Sequence, residues 1–362
     1  MNLLMITRKI DKDDWLAGHS YEWAVKLSEK LKVESGKLTV ICLEKGNTGE
    51  LDADFIYSLG KEKGRARFQR FVTMQKLLWQ HVRKSDVIFS HQNPEYAINA
   101  APFALLFGKN IVSWYTHGTV TWKTRLMVAV SKNVLTASEA SLRIKTGKKI
   151  VTGHGINVSK FISSRKKEFD NPDSRFVVST IGRYSASKDA ESLIRAVLIA
   201  IEKSGRNITL SIFGKEATVA DRKYVLGLKE ISERLGSKMS EPVFKGPVPH
   251  VDITKKLQET DLFVNLSKTG SLDKAVLEAM ACEVPVITSN EAFKVMLQPF
   301  ADLTLTEPGN PEMLADKILN IINLNASDRA ALGANLRQIV VQYHNLDVLI
   351  GKIITIAEAL TK

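Results

Sequence analysis

Cysteine is nearly absent: the chain of 362 residues holds two, Cys42 and Cys282, each in an apolar strand-like or helix-like setting. Two such cysteines make neither a disulfide framework nor a metal-ligand spacing, and the chain reads as reduced and cytoplasmic. Long hydrophobic runs are missing as well. No stretch reaches the ~20 apolar residues that span a bilayer. The opening MNLLMIT reads as a first strand followed by charge, too short and wrongly flanked for a secretory signal. No G-x-G-x-x-G follows that strand, which disfavours a dinucleotide-dependent dehydrogenase. Clusters of His, Cys and carboxylate with metal-site spacing are also lacking. Asp11-Lys12-Asp13 and Asp52-Ala53-Asp54 do not end strands beside a ligand site, so they read as solvated loop charge rather than a metal-binding Asp-x-Asp. Short-period repeats, low-complexity tracts and a nucleic-acid recognition element are all missing.

What is present is an ordinary globular composition, 44% hydrophobic and 25% charged, over a length that suits two domains with cores of their own. Short β-rich runs alternate with helical patterns, the signature of parallel sheets joined by crossover helices. The pattern predicts strands over 3–6, 38–43, 87–90, 110–115, 134–136 and 149–151 in the first half. In the second half it predicts strands over 176–181, 208–213, 242–244, 262–266, 284–288 and 303–305. Helices are expected over 20–31, 273–282, 311–324, 327–343 and 346–360. Residues 159–175 are polar and aperiodic and read as a linker. The expected organisation is therefore one Rossmann-like domain over 1–160, a second over 176–344, and a last helix within 345–362.

Charge is divided unevenly. Residues 1–176 hold 29 Lys and Arg against 17 Asp and Glu, whereas 177–362 hold 22 of each, so the net +12 belongs to one half. Basic surface draws phosphate, whether in nucleic acid, anionic lipid or a lipid diphosphate. Charge alone does not choose among these.

The second half carries the chemistry. Its first strand, FVVSTI, ends in Gly182, followed by Arg183, Lys188 and a helix start. Two cations five apart at such a place would grip a diphosphate, and the carboxyl ends of parallel strands are where these sheets bind ligands. Ile212-Phe213-Gly214-Lys215 and Phe244-Lys245-Gly246-Pro247 are further strand ends with glycine. In Thr269 to Val286, turn formers lead into an amphipathic helix that places Glu278 among Val276, Leu277, Ala279 and Met280. A carboxylate there is costly unless paired or hydrogen-bonded. A neighbouring lysine would serve, and so would the hydroxyls of a ribose.

This segment resembles the donor-binding motif of family 4 glycosyltransferases, Glu-x7-Glu with LEAMA at its end and Pro-Val-Ile after it; here these are Leu277–Ala281 and Pro285–Ile287. Glu278 falls on the second Glu of that motif, which binds the donor ribose. Gly270 stands at the first Glu and Asp273 replaces the motif glycine. Arg183 and Lys188 match the pair that binds the donor diphosphate. The resemblance implies a GT-B fold, two Rossmann-like α/β domains with parallel sheets facing across a cleft, and a C-terminal helix crossing back to the first domain. It implies donor binding by Gly18, Arg183, Lys188, Gly214, Lys245, Gly270, Ser271, Asp273, Lys274 and Glu278. His117, after strand NIVSWY, matches the catalytic-side histidine, while His91 and His19 are expected on the acceptor side. The expected activity is retaining transfer of a hexosyl group from a UDP or GDP sugar to a glycan or lipid-linked hydroxyl, with no metal and no cofactor. The other reading kept open is a nucleotide-sugar-binding protein with little transferase activity, since Gly270 removes a sugar contact. Nucleic acid is not expected as a partner.

Residues 61–84 carry eight basic residues and one acidic, with Phe68, Phe71, Val72, Leu78, Trp79 and Val82 at helical spacing. An apolar face of this kind packs on a sheet in an ordinary domain. With its cationic flank and Trp79 it also suits an anionic membrane surface, which would place the enzyme at the inner face of a membrane.

Overall fold

The apolar run at the N-terminus forms a strand covered on both faces, β1 (Asn2–Ile10), as a near-continuous hydrophobic stretch in a parallel sheet requires. The structure, a computed structural model, describes residues 1–14, 18–33, 35–52, 55–163, 175–239, 241, 243–268 and 270–361. Ala17, Ala53, Asp54, Pro242, Thr269 and residues 164–174 of the expected linker lie outside the described residues.

The described chain divides into two compact units. The first, 1–157 with 249–251 and 344–362, holds α1 (Gly18–Val33), β2 (Lys37–Lys45), β3 (Ile56–Ser58), α2 (Arg67–Val82) and β4 (Val87–His91). It continues with α3 (Pro94–Leu106), β5 (Asn110–Trp114), α4 (Trp122–Val130), β6 (Asn133–Thr136) and β7 (Lys149–Val151). Its seven strands are parallel in the order β3-β2-β1-β4-β5-β6-β7. Helix α3 starts where Asn93 accepts a hydrogen bond from Glu95 N–H and Pro94 takes the first helical position. Met74, Leu78 and Val82 of α2, Ala97, Ala100 and Ala104 of α3, and Met127 and Val128 of α4 share one core cluster with Ile88 and Ile111. The three helices therefore form one layer on one sheet face. Trp23 of α1 stacks on Phe89, which points to the opposite face from Ile88, so α1 covers the other side.

The second unit, 158–248 and 252–343, opens with β8 (Phe176–Ile181) and α5 (Ala190–Ser204). Then come β9 (Ile208–Phe213), α6 (Val219–Gly227), α7 (Lys229–Met239), β10 (Phe244–Gly246), α8 (Ile253–Gln258), β11 (Leu262–Asn265) and α9 (Lys274–Ala281). It closes with β12 (Val286–Thr288), two single-turn helices α10 (Lys294–Leu297) and α11 (Ala301–Thr304), α12 (Pro311–Asn323) and α13 (Ala326–Tyr343). Its five strands are parallel in the order β10-β9-β8-β11-β12. The last helix, α14 (Leu346–Ala359), belongs to the first unit, where it packs beside α1.

Three expectations are corrected. Residues 303–305 are not a strand: Ala301–Thr304 closes a helical turn, with Thr304 Oγ1 donating to Phe300 O at 2.7 Å, and only a lone bridge joins Leu305 to Thr288. Strand β3, three residues without a readable period, was not expected. The apolar face read over 61–84 splits in two: Leu78 and Val82 are buried with Met74, but Phe68, Phe71 and Trp79 stand exposed.

Candidate active site

Because the second sheet is parallel, β8, β9, β10 and β11 all present their carboxyl ends at one edge, and the residues singled out in this half gather there. Gly182 N–H donates to Phe213 O at 2.9 Å and Gly214 N–H to Gly246 O at 2.8 Å, which draws three strand ends together. Gly214 has φ +148, and a Cβ there would lie 1.8 Å from Gly182 O, so only glycine fits. Tyr184 ties the same ends: its hydroxyl donates to Ile212 O at 2.9 Å and accepts from Gly246 N–H at 3.0 Å. Burial pushes this phenol up to about 12, so it stays a neutral donor.

Lys188 follows β8 and forms an ion pair with Asp273, the N-cap of α9. Asn265, at the end of β11, also donates to Asp273 Oδ2 at 2.9 Å. Burial alone would raise the Asp273 pKa; the Lys188 ammonium and the hydrogen bonds overcome it and hold the carboxyl below its usual value. Arg183 is half-exposed, with Nε 3.7 Å from Asp221 Oδ2. Asp221 chiefly caps α6, accepting from Ala217 and Thr218 N–H at 3.0 Å each. Lys268 lies 3.2 Å from Asp189, which caps α5. The edge is thus a row of cations, each meeting an acid that caps a helix N-terminus or sits in its first turn.

Glu278 is 3% exposed, one turn into α9, with Oε1 3.3 Å from Lys274 Nζ. The buried carboxylate has a lysine beside it. Gly270 takes φ +64, a left-handed backbone in which a glutamate at this position would be strained. Ser271 accepts from Asn290 Nδ2 through its carbonyl at 2.8 Å. Lys245 pairs with Glu241 at 2.8 Å. Arg337 anchors the far end of α9, donating to Ala281 O, to Phe161 O at 2.7 Å and to Val158 O at 3.2 Å.

In the first unit the carboxyl edge collects histidines. His117, three residues past β5, is exposed beside Tyr115, yet enough protein crowds it that desolvation lowers its pKa. His91 is placed differently from expectation: it is 1% exposed, lies among Trp23 and Trp114, and shares a 3.0 Å hydrogen bond with Thr7 Oγ1. It packs the interior and lines no rim. His19, in the first turn of α1, meets the Gln92 side chain at 2.8 Å. Gln92 itself holds φ +69, an unusual strain for a residue with a Cβ and one typical of functional edges. Gly18 is buried, and a Cβ there would approach His250 Cβ to 2.6 Å.

Residues 162–339, nearly all of the second unit, match the model of the family "Glycosyl transferases group 1". The chain carries a group 1 glycosyltransferase domain. Solved structures of similar fold include an Anabaena HepE protein in complex with UDP and glucose, at TM-score 0.76 and 17% identity over 99% of this chain and all of that one. Sucrose-phosphate synthase from Thermosynechococcus elongatus gives TM-score 0.74 and 17% identity over 99% of each chain. A glycosyltransferase from Rickettsia africae gives 0.72 and 16%, covering 100% of this chain and 99% of that one. The fold of two parallel-sheet α/β domains is that of GT-B glycosyltransferases. A search among curated proteins finds no sequence match.

Within the glycosyltransferase domain the structure brings Arg183, Lys188, Gly214, Gly270, Ser271, Asp273, Lys274 and Glu278 to one sheet edge. Sequence reasoning missed Asn265, Tyr184 and Arg337, which act across 8, 62 and 56 residues of chain and leave no local signal. Among the described residues no cluster of His, Cys and carboxylates has the make-up of a metal site.

Proposed function

We propose that the protein transfers a hexosyl group from a nucleoside diphosphate sugar to a hydroxyl of a glycan or lipid-linked acceptor, with retention of anomeric configuration. The observation that carries this reading is the pair Arg183 and Lys188 at the carboxyl end of β8, beside the start of α9 and its buried Glu278. A guanidinium forks two oxygens while an ammonium supplies a mobile point charge, a pairing suited to a diphosphate. The presence of UDP and UDP-glucose in HepE structures of the same fold favours UDP as the carrier.

In the reaction the bond between the sugar C1 and the β-phosphate oxygen breaks, and its electron pair stays on the phosphate. Arg183 and Lys188 neutralise that charge as it develops, which is the interaction that lowers the barrier. The acceptor oxygen bonds to C1 on the same face, and its proton passes to a donor phosphate oxygen. This route asks for no enzymic base and no metal. Glu278 is assigned the ribose hydroxyls. His117, whose lowered pKa keeps it neutral near pH 7, is assigned a hydrogen bond to the transferred sugar. Gly18 and His19, at the start of α1, are assigned to the donor phosphates and the acceptor side respectively.

Proton NMR of the product formed from an α-linked UDP-hexose tests the reading. An α-glycoside is expected; a β-glycoside would overturn the retaining route, and donor binding without any transfer would favour the binding-protein alternative.

A further inference from the structure

Between Lys63 and Ser138 the first unit has eleven Lys and Arg and only two acids, Asp86 and Glu95. Both acids are occupied: Asp86 accepts from Asn2 N–H at 2.7 Å, and Glu95 pairs with Lys123. This span contains α2, α3 and α4, the layer whose inner faces fill one core cluster. Its outer surface therefore carries positive charge that it does not itself neutralise. Arg67, Lys76 and Arg83 are exposed, and no carboxylate among the described residues pairs with them.

Large apolar side chains stand on the same surface. Phe68 is 76% exposed, Phe71 53% and Trp79 50%, all along α2, and Trp79 meets Phe107 edge-on at 5.4 Å. Leu105 and Leu106, at the end of α3, are 87% and 62% exposed. Phe71 continues the line of Met74, Leu78 and Val82 toward the start of the helix, and Phe68 and Trp79 lie just beside it, so the apolar face of α2 is broader than the part that the core covers. Isolated exposed apolar residues need no explanation, but an aromatic ridge flanked by unpaired cations does.

We propose that the outer surface of the α2–α4 layer docks on an anionic lipid bilayer, with Phe68, Phe71 and Trp79 entering the interface and the flanking cations meeting lipid phosphates. Lipid is favoured over a second copy of this chain because two copies would bring uncompensated cations together. Tryptophan at a helix flank, with lysine and arginine beside it, suits the headgroup boundary, where one end of the side chain is apolar and the other wet. No described helix is long and apolar enough to cross a membrane, so this contact is one of surface attachment. It does not depend on the transfer reaction proposed above.

Co-sedimentation with vesicles tests it, using phosphatidylcholine mixed with phosphatidylglycerol against phosphatidylcholine alone. The protein should partition to the mixed vesicles at low salt and much less to the neutral ones. Arg67→Ser/Lys76→Ser/Arg83→Ser should weaken partition about a hundredfold, since each cation near such a surface contributes a roughly fivefold factor. Phe68→Ser/Phe71→Ser/Trp79→Ser should weaken it at least about tenfold through lost apolar contact. Brominated lipid should quench wild-type tryptophan emission more than that of Trp79→Phe. Unchanged far-ultraviolet circular dichroism and melting temperature of the variants would show that they remain folded. Failure of the wild type to bind mixed vesicles at low salt overturns the proposal, whether or not another protein covers this surface. Unaltered partition of the aromatic variant overturns the insertion.

Discussion

Replacing Asp273 by Asn should tighten nucleoside diphosphate binding while making the protein less stable. The Lys188 ammonium is held by the Asp273 carboxylate, and a diphosphate must share or displace that partner. Lys188 and Asp273 keep only 26% and 15% of their side-chain surface exposed, so water screens the pair weakly. Gross attraction at contact is about 4 kcal/mol for an effective dielectric near 20, most of it offset by desolvation. A net hydrogen bond to a charged group is nearer 1.5–3 kcal/mol. The amide keeps an oxygen for the Ala275 N–H, so α9 retains its cap. Removing the competing charge should therefore strengthen UDP binding by about 1–2 kcal/mol, roughly five- to thirtyfold. Folding stability should fall by about 1–2 kcal/mol, because Lys188 loses its partner. Calorimetric titration with UDP or GDP, paired with urea unfolding, reads both quantities. Weaker binding in Asp273→Asn, in step with lost stability, would refute the reasoning: Asp273 would then build the site rather than compete for its lysine.

Other outcomes follow from the same geometry. Glu278→Gln should weaken nucleoside diphosphate binding by about 1–2 kcal/mol and, because Lys274 loses its ionic partner, lower stability by about as much while the protein still folds; lost stability with unaltered affinity per folded molecule would leave Glu278 a purely structural partner of Lys274. His344 is buried and its Nδ1 accepts from His154 N–H at 3.0 Å, with its pKa lowered to about 4 by desolvation. The unfolded chain, with a value near 6.5, protonates first as pH falls, so stability is full above that and is lost progressively down to about 4. That loss is at most about 3 kcal/mol. Urea midpoints across this range should show it, and His344→Asn, which keeps an acceptor but does not titrate, should flatten the profile.

Much of this architecture is legible in the residues. Strands 176–181 and 208–213 fall where their apolar runs and flanking turns place them, because buried parallel strands need such runs, and the edge strand 149–151 falls where expected as well. The edge that gathers Arg183, Lys188 and Glu278 follows from strand direction alone. Pairing is what the sequence hides. Nothing near Lys188 announces Asp273, 85 residues on, and nothing at Arg337 announces the Ala281 carbonyl. A periodic apolar stripe does not say which of its members meets the core: Leu78 does, whereas Phe68, one face over, does not. His91 looked like an edge residue because it ends a strand, yet Trp23 and Trp114 close over it. Gly270, where the motif departs from its family pattern, holds a left-handed backbone, a property of the loop that the residue type alone does not reveal.

The central claim is that the edge of the second sheet binds a nucleoside diphosphate through Arg183 and Lys188. Calorimetric titration of UDP and GDP into the wild type, Arg183→Ala and Lys188→Ala tests it most directly. Each substitution should weaken binding by about 1.5–3 kcal/mol, roughly ten- to a hundredfold, with the fold intact. Equal affinity in all three proteins, or no nucleotide binding by the wild type, would contradict the account.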